Sequence, residues 1–295
     1  MATDRDPIVA AHGASFRYAG SDANALESVD LAIARGEFLA FVGQNGAGKT
    51  TLAKLFNGLL TPTTGDVVVD GSSTHKVGID FLSKIVGYCY QNPDHQIFSN
   101  TVREEVAFGL KHHGVPAAAA AESVTEALRL VGLEHQADRY PFLLGRGERQ
   151  KLAVASILAL GPPVLVIDEP TTGLDLGGTR SIMRLLRQLN ESGRTVIIIT
   201  HDMNVVAEYA PRTVVISKGR VIRDGSTRDV LTNEAALREA FLRPPQITRV
   251  ALRLHERCGF PAGILTVDEF LTAYRSRAAN TTTRAAARPA SRGQG

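Results

Sequence analysis

Four apolar runs of strand length punctuate the chain: EFLAFVG from Glu37, PVLVIDE from Pro163, RTVIIITHD from Arg194 and RTVVISKG from Arg212. None alternates with polar residues, and each is bounded by Gly, Pro or charge, which is the pattern of central strands covered on both faces. Between them the period changes. Ile182, Leu185, Leu186 and Leu189 fall on one helical face, as do Val124, Ala127, Leu128 and Val131. This alternation predicts an α/β fold with a mainly parallel sheet and helices on both sides. The stretch from about 92 to 160 lacks a convincing central strand and reads as an inserted helical subdomain of a domain spanning 1–245. Residues 246–274 read as a small amphipathic appendage, and 275–295, rich in Ala, Arg and Thr, as a disordered basic tail.

Composition narrows the function classes. The formal charge of +3 comes from the tail: five arginines and no acid follow from Arg275 onward, and without them 28 basic residues face 30 acidic ones. No basic stripe marks the body, so a nucleic-acid partner is not expected. Two distant cysteines, Cys89 and Cys258, suggest neither a disulfide framework nor a thiolate metal site and fit a reducing cytoplasm. The start MATDRDPIVA does not read as a signal peptide. The most apolar stretch, Leu152 to Ile167, is interrupted by Gly161-Pro162-Pro163 and reads as a helix followed by a buried strand, not as a membrane span. Work at a membrane would therefore require a docking partner.

Candidate chemistry begins directly after the first apolar run. Gly43-Gln44-Asn45-Gly46-Ala47-Gly48-Lys49-Thr50 matches G-x-x-x-x-G-K-[ST], and a helical sequence opening with Thr51 follows. Glycines let backbone N–H groups wrap phosphate, the lysine neutralises the β and γ phosphates, and the threonine hydroxyl ligates Mg²⁺. Chance gives this pattern in roughly one per cent of such chains. Asp168-Glu169 ends the second run, where parallel sheets bind ligands. Two adjacent carboxylates there can divide labour: Asp168 holds Mg²⁺ through water, and Glu169 orients or deprotonates the attacking water. The cofactors read from these residues are ATP and Mg²⁺.

Beyond these two motifs, the stretch from Ile8 to Leu231 resembles the ABC transporter ATPases, which are P-loop NTPases. The resemblance implies that Tyr18 stacks on adenine. It makes Gln91 the Q-loop glutamine near Mg²⁺ and the attacking water, Asp175 the D-loop aspartate facing the opposite subunit, and His201 the switch histidine beside the γ-phosphate. The family signature L-S-G-G-Q stands here as Leu144-Gly145-Arg146-Gly147-Glu148, without its serine. In this family two ATPase subunits meet head to tail, so a signature caps the partner's ATP. Losing a hydroxyl that bonds phosphate costs about 1.5 to 3 kcal/mol, a ten- to hundredfold effect on rate. Helix-start N–H groups and Arg146 are expected to compensate in part. An intact catalytic set beside a degenerate signature favours a heterodimer with one strong and one weaker site over a homodimer in which the variant signature works normally.

Two further segments resemble the energy-coupling factor branch of importers: Gln91 to Gly109, and the appendage RPPQITRVALRLHERCGFPAGILTVDEF. Thr101 with Glu104 forms a capping box that predicts a helix start just after Asn100. Asp94 and His95 stay open between partner contacts and plain turn residues. The resemblance implies a complex with a second ATPase subunit, a transmembrane coupling subunit and a membrane subunit that binds a vitamin or transition-metal ion. The chain would then sit peripherally on the cytoplasmic face of the membrane. A soluble ABC-type ATPase acting on nucleic acid or ribosomes and a low-turnover regulatory subunit are the competing readings.

Overall fold

The computed structural model describes residues 6–286. Strands β1 (Val9–Phe16) and β2 (Leu26–Ile33) pair antiparallel, then β3 (Phe38–Val42) enters a second sheet and runs through the glycine loop into α1 (Lys49–Phe56). Strands β4 (Thr64–Val69) and β5 (Ser72–Ser73) return to the first sheet, giving the order β2-β1-β4-β5. After α2 (Ile79–Leu82), β6 (Val86–Cys89) reaches the edge of the second sheet. Helices α3 (Val102–His112), α4 (Ala117–Val131) and α5 (Arg146–Leu158) fill the span before β7 (Val164–Asp168). Then come α6 (Leu176–Glu191), β8 (Thr195–Ile199), α7 (Met203–Tyr209), β9 (Arg212–Ser217) and β10 (Arg220–Ser226). Four helices close the described chain: α8 (Thr227–Leu231), α9 (Glu234–Glu239), α10 (Gln246–Cys258) and α11 (Val267–Ala286).

The second sheet has the order β10-β9-β3-β8-β7-β6, and every pair is parallel except β9 with β10. All four apolar runs are strands of this sheet, and all five residues of β3, β7 and β8 are buried. Alternate residues of these strands belong to two cores: Ala40, Ile167 and Ile198 pack toward the helical side, and Leu39, Val166 and Ile197 toward the antiparallel sheet. The predicted faces of α4 and α6 are buried, each large aliphatic contributing about 1.5–3 kcal/mol.

The antiparallel sheet is a feature the hydrophobic pattern did not show. Its first strand, VAAHGASF, is short of β-branched residues and alternates weakly, and β4 shows only two buried valines at its end. At the other end the reading of a tail beginning at Arg275 is corrected, because α11 continues past Tyr274 to Ala286. Thr266 caps the helix by accepting from Glu269 N, Asp268 and Glu269 lie in its first turn, and alanines sustain it. The part of that expected tail at 287–295 lies outside the described residues. Among the described residues no helix is long and apolar enough to cross a membrane.

Candidate active site

The carboxyl ends of β3, β6, β7 and β8 lie side by side, and each delivers functional groups there. From β3 the chain turns through the glycine loop, and Gly48 caps α1 at φ 106°. A Cβ at this position would stand 2.7 Å from the Ala25 carbonyl oxygen and 2.8 Å from Leu26 Cδ2, so only glycine fits. No side chain caps α1, which leaves its first N–H groups for an anion. Lys49 is buried, and its Nζ donates to the carbonyls of Gly43 and Gln44, both at 2.8 Å. Burial lowers its pKa, while the nearby charges of Glu169 and Asp168 oppose that shift.

Strand β7 supplies the acids. Oδ2 of Asp168 accepts from Thr50 Oγ1 at 2.7 Å and from the Tyr88 hydroxyl at 2.9 Å. Burial raises the Asp168 pKa, and these two hydrogen bonds work against the rise by favouring the anion. Glu169 sits at φ 50°, a left-handed conformation that a non-glycine residue holds only when its surroundings fix it. Its N–H donates to Ile199 O of β8 at 2.8 Å, Thr172 Oγ1 donates to its Oε2 at 3.2 Å, and its Oε1 shares a 2.7 Å hydrogen bond with Nδ1 of His201. The carboxylate is thereby held at the strand end with a histidine from β8's exit on one oxygen.

A cavity of about 350 Å³ opens over these groups. Tyr18, residues 45–51 of the loop and α1, Gln91, Asp168 and Glu169 line it. The Tyr18 hydroxyl hydrogen-bonds Thr51 Oγ1 at 3.1 Å, and its ring stands edge-on to Phe16 at 4.8 Å. Gly43 and Gln44 reach the site through the carbonyls that hold Lys49, and His201 reaches it through Glu169.

The signature is elsewhere. Gly145 is the N-cap of α5, so Arg146 through Glu148 are its first turn, and none of the five signature residues lines this chain's own cavity. Leu144 is buried, anchoring the segment. The N-cap N–H of Gly145 donates to Glu148 Oε2 at 2.8 Å, while no side chain caps the N–H groups of the first turn that follows. Gln136 Nε2 donates to the other carboxylate oxygen at 2.6 Å, and the two bonds keep Glu148 below the usual carboxylate pKa. The Arg146 guanidinium lies against Gly173, between the acid pair and Asp175. Asp175 caps α6 by accepting from Gly178 N at 2.7 Å.

Residues the sequence did not single out are Tyr88, Thr172 and Gln136. Their only signal was Tyr88, since a tyrosine inside an apolar strand needs a partner for its hydroxyl. Asp94, left open between two roles, accepts from Arg149 Nε at 2.7 Å, and Arg149 also donates to the Leu144 carbonyl. The neighbouring Gln96 donates to Ala153 O and Ser156 Oγ of α5, both at 2.9 Å. The segment after Gln91 is thus tied directly to the signature helix.

A glycine loop between a parallel strand and a helix start, a buried lysine and an acid pair at the neighbouring strand end define a P-loop nucleotide-binding protein. The family model described as ABC transporter matches residues 26–172. The chain is 41% identical over 278 residues to the energy-coupling factor transporter ATP-binding protein EcfA1 of Symbiobacterium thermophilum, covering 91% of this chain and 96% of that protein. It is 46% identical over 249 residues to an ABC transporter ATP-binding protein, TTE1589, of Caldanaerobacter subterraneus subsp. tengcongensis, covering 84% of this chain and 44% of that protein. Among solved structures, cbiO1 from Clostridium perfringens, part of the ABC transporter complex cbiONQ, aligns at a TM-score of 0.72 and 33% identity over 86% of this chain and 98% of that one. The ATP-binding cassette MJ0796, in a dimeric post-hydrolysis state bound to ADP and Pi, aligns at 0.67 and 31% identity over 75% and 99%. The chain therefore belongs to the ABC transporter ATP-binding family, although it spans less than half the length of relatives such as TTE1589.

Proposed function

We propose that this chain hydrolyses MgATP to power import of a vitamin or transition-metal ion through an energy-coupling factor type transporter. The observation that carries the reading is the convergence of Lys49, Asp168, Glu169 and Gln91 on one cavity with His201 on the Glu169 carboxylate. The loop N–H groups and Lys49 bind the phosphates, Tyr18 at the cavity wall takes the base, and Glu169 orients water for in-line attack while His201 positions that carboxylate.

The residues present fit Mg²⁺. Thr50 and Asp168 already meet at 2.7 Å with Gln91 on the same wall, all of them oxygen donors suited to a hard cation. Among the described residues no group of three or more His, Cys, Asp or Glu could hold a metal, so the ion would share its coordination with phosphate. When bound, Mg²⁺ supplies positive charge against the phosphoryl oxygens.

For the partners, we read the degenerate signature as favouring a heterodimer in which a subunit with an intact signature closes over this chain's ATP. Glu148 strengthens that reading, because a fixed carboxylate in the signature repels the partner's phosphate. The transmembrane coupling subunit docks beside Gln91. There an apolar groove of about 400 Å³ is lined by Leu59, Ile79, Tyr90, Phe98 and Phe108, all exposed, with Phe98 edge-on to Phe108 at 4.7 Å. The chain accordingly works on the cytoplasmic face of the membrane through its partners, and the named relatives EcfA1 and cbiO1 favour this branch.

Glu169→Gln tests the reading in the assembled complex. ATP hydrolysis should fall by about 10² or more, with ATP still retained in equilibrium binding. An unchanged rate would remove this chain's loop as the working site. Copurification with ribosomes or nucleic acid, with no membrane-bound fraction, would replace transport by the soluble alternative.

A further inference from the structure

A second cleft, of about 810 Å³, lies between α9 and α10 and shares no residue with the phosphate cavity. Four arginines line it: Arg238 on α9, Arg243 in the connection, and Arg249 and Arg253 on α10. Among the described residues none of these four guanidinium groups has a hydrogen bond or ion pair. Arg212 and Arg228 nearby are paired, with Glu37 and Asp224 and with Glu269, while Arg223 and Arg257 are single among the described residues; what sets the four apart is that they line one cleft. Two lining carboxylates, Glu234 and Glu256, leave an excess of positive charge in the cleft.

Packing does not account for this arrangement. Helix α10 buries its opposite face, through Thr248 and Ala251, and Ala251 belongs to a small core with Phe260 and Ile264. Arg249, Leu252, Arg253 and Glu256 recur at helical spacing along the cleft side. An aromatic ring completes the lining. Phe241 is 67% exposed and sits at φ 54°, just past the end of α9, where glycine is usual. The backbone there is a Schellman stop, Phe241 N donating to Arg238 O at 2.9 Å and Leu242 N to Leu237 O at 2.8 Å, and it leaves the aromatic ring exposed on the cleft wall.

We propose that this cleft binds a nucleotide-like organic phosphate, its phosphates gripped by Arg238, Arg243, Arg249 and Arg253 and its ring stacked on Phe241. The volume lies within the range of small-molecule sites, and converging guanidinium groups are the usual reader of phosphate. Occupancy also reaches the catalytic side. Arg243 and Pro244 line both this cleft and a neighbouring one of about 760 Å³ that contains His201 and Asp202. A ligand that draws Arg243 toward its phosphates shifts the connection that lines one cleft with His201, and so alters ATP turnover. This regulatory part rests on the proposed ATPase function; binding in the cleft does not.

Equilibrium dialysis of the full chain with labelled ADP tests it. The wild type should bind two ADP per chain. Lys49→Ala and the exposed-face variant Arg249→Glu/Arg253→Glu should each bind one, and their combination none. Pyrophosphate should compete at the arginine cleft, and Phe241→Gly, which relieves the backbone, should reduce the preference for ADP over pyrophosphate there by about tenfold. One ADP per chain in the wild type, or a stoichiometry insensitive to the arginine changes, overturns the proposal. So does an arginine variant that alters assembly with the second ATPase subunit while the nucleotide count stays at two, since the cleft is then a protein contact. A second bound ADP that persists in a chain whose complex hydrolyses nothing would instead count against the ATPase reading alone.

Discussion

Two side chains show how local environment sets reactivity. Cys89 is fully buried beside Asp168, and burial pushes its thiol up to about 12. Cys258 is exposed. Thiol titration of the native chain at pH 8 should therefore modify Cys258 alone, and Cys89 should react only in denaturant. A raised folded pKa contributes stability below the unfolded value. That contribution is kept below about pH 8.5 and fades as alkali rises toward 12, so the melting temperature should fall over that window and Cys89→Ala should flatten the fall. Tyr88 is the other case. Its hydroxyl favours the Asp168 anion, and Tyr88→Phe should raise the Mg²⁺ concentration needed for half-maximal ATPase by about tenfold, with protein folding unaffected. A Mg²⁺ titration of the complex reads this directly. The sequence named Asp168 from its place at a strand end, but it did not name Tyr88, because which hydroxyl meets a carboxylate depends on the β6–β7 register, Tyr88 opposite Val166.

Elements were legible in proportion to how completely they are buried or capped. The capping box at Thr101 and Glu104 forms as expected, with both reciprocal hydrogen bonds present at 3.1 Å. Thr101→Ala should cost about 1 kcal/mol in denaturant unfolding, provided the transition stays two-state. The loop–α1 junction is less forgiving. Gly48→Ala would need both an unfavourable φ and displacement of the Ala25 carbonyl, so ATP binding should be lost well before the chain unfolds; retained binding by dialysis would show that the loop can shift. The strands β1, β2 and β4 were not legible, because β1 carries mostly small residues inward and the regular alternation of β2 and β4 is short, four buried positions in one and two in the other. Only the pairing of distant segments, Val9 with Ile33 and with Val69, makes them a sheet. Helix α11 was misjudged from composition, since an Ala-rich, Arg-containing stretch suits a helix as well as a solvated end.

At the scale of the whole molecule, the proposed reading gives one chain two halves of different quality. Its loop, acid pair and histidine are complete, whereas the signature offers a bound carboxylate where the family has glutamine. Restoring the pattern by Gly145→Ser/Arg146→Gly/Glu148→Gln is sterically open at Gly145, where a Cβ meets nothing closer than 3.5 Å. In a complex whose partner carries its own acid pair, this change should raise turnover at the partner's site by about ten- to hundredfold. An unchanged single-site rate would mean that the altered signature is fully competent. The sequence by itself determined the place of the phosphate loop, the acid pair and the parallel strands, because each is encoded within a short window by residue type and period. Only the tertiary structure decided that Tyr88 donates to Asp168, that Arg149 ties Asp94 to the signature helix, and that His201 meets the Glu169 carboxylate. Such contacts join residues whose separation in the chain carries no local period, and they exist only once helices and strands have packed.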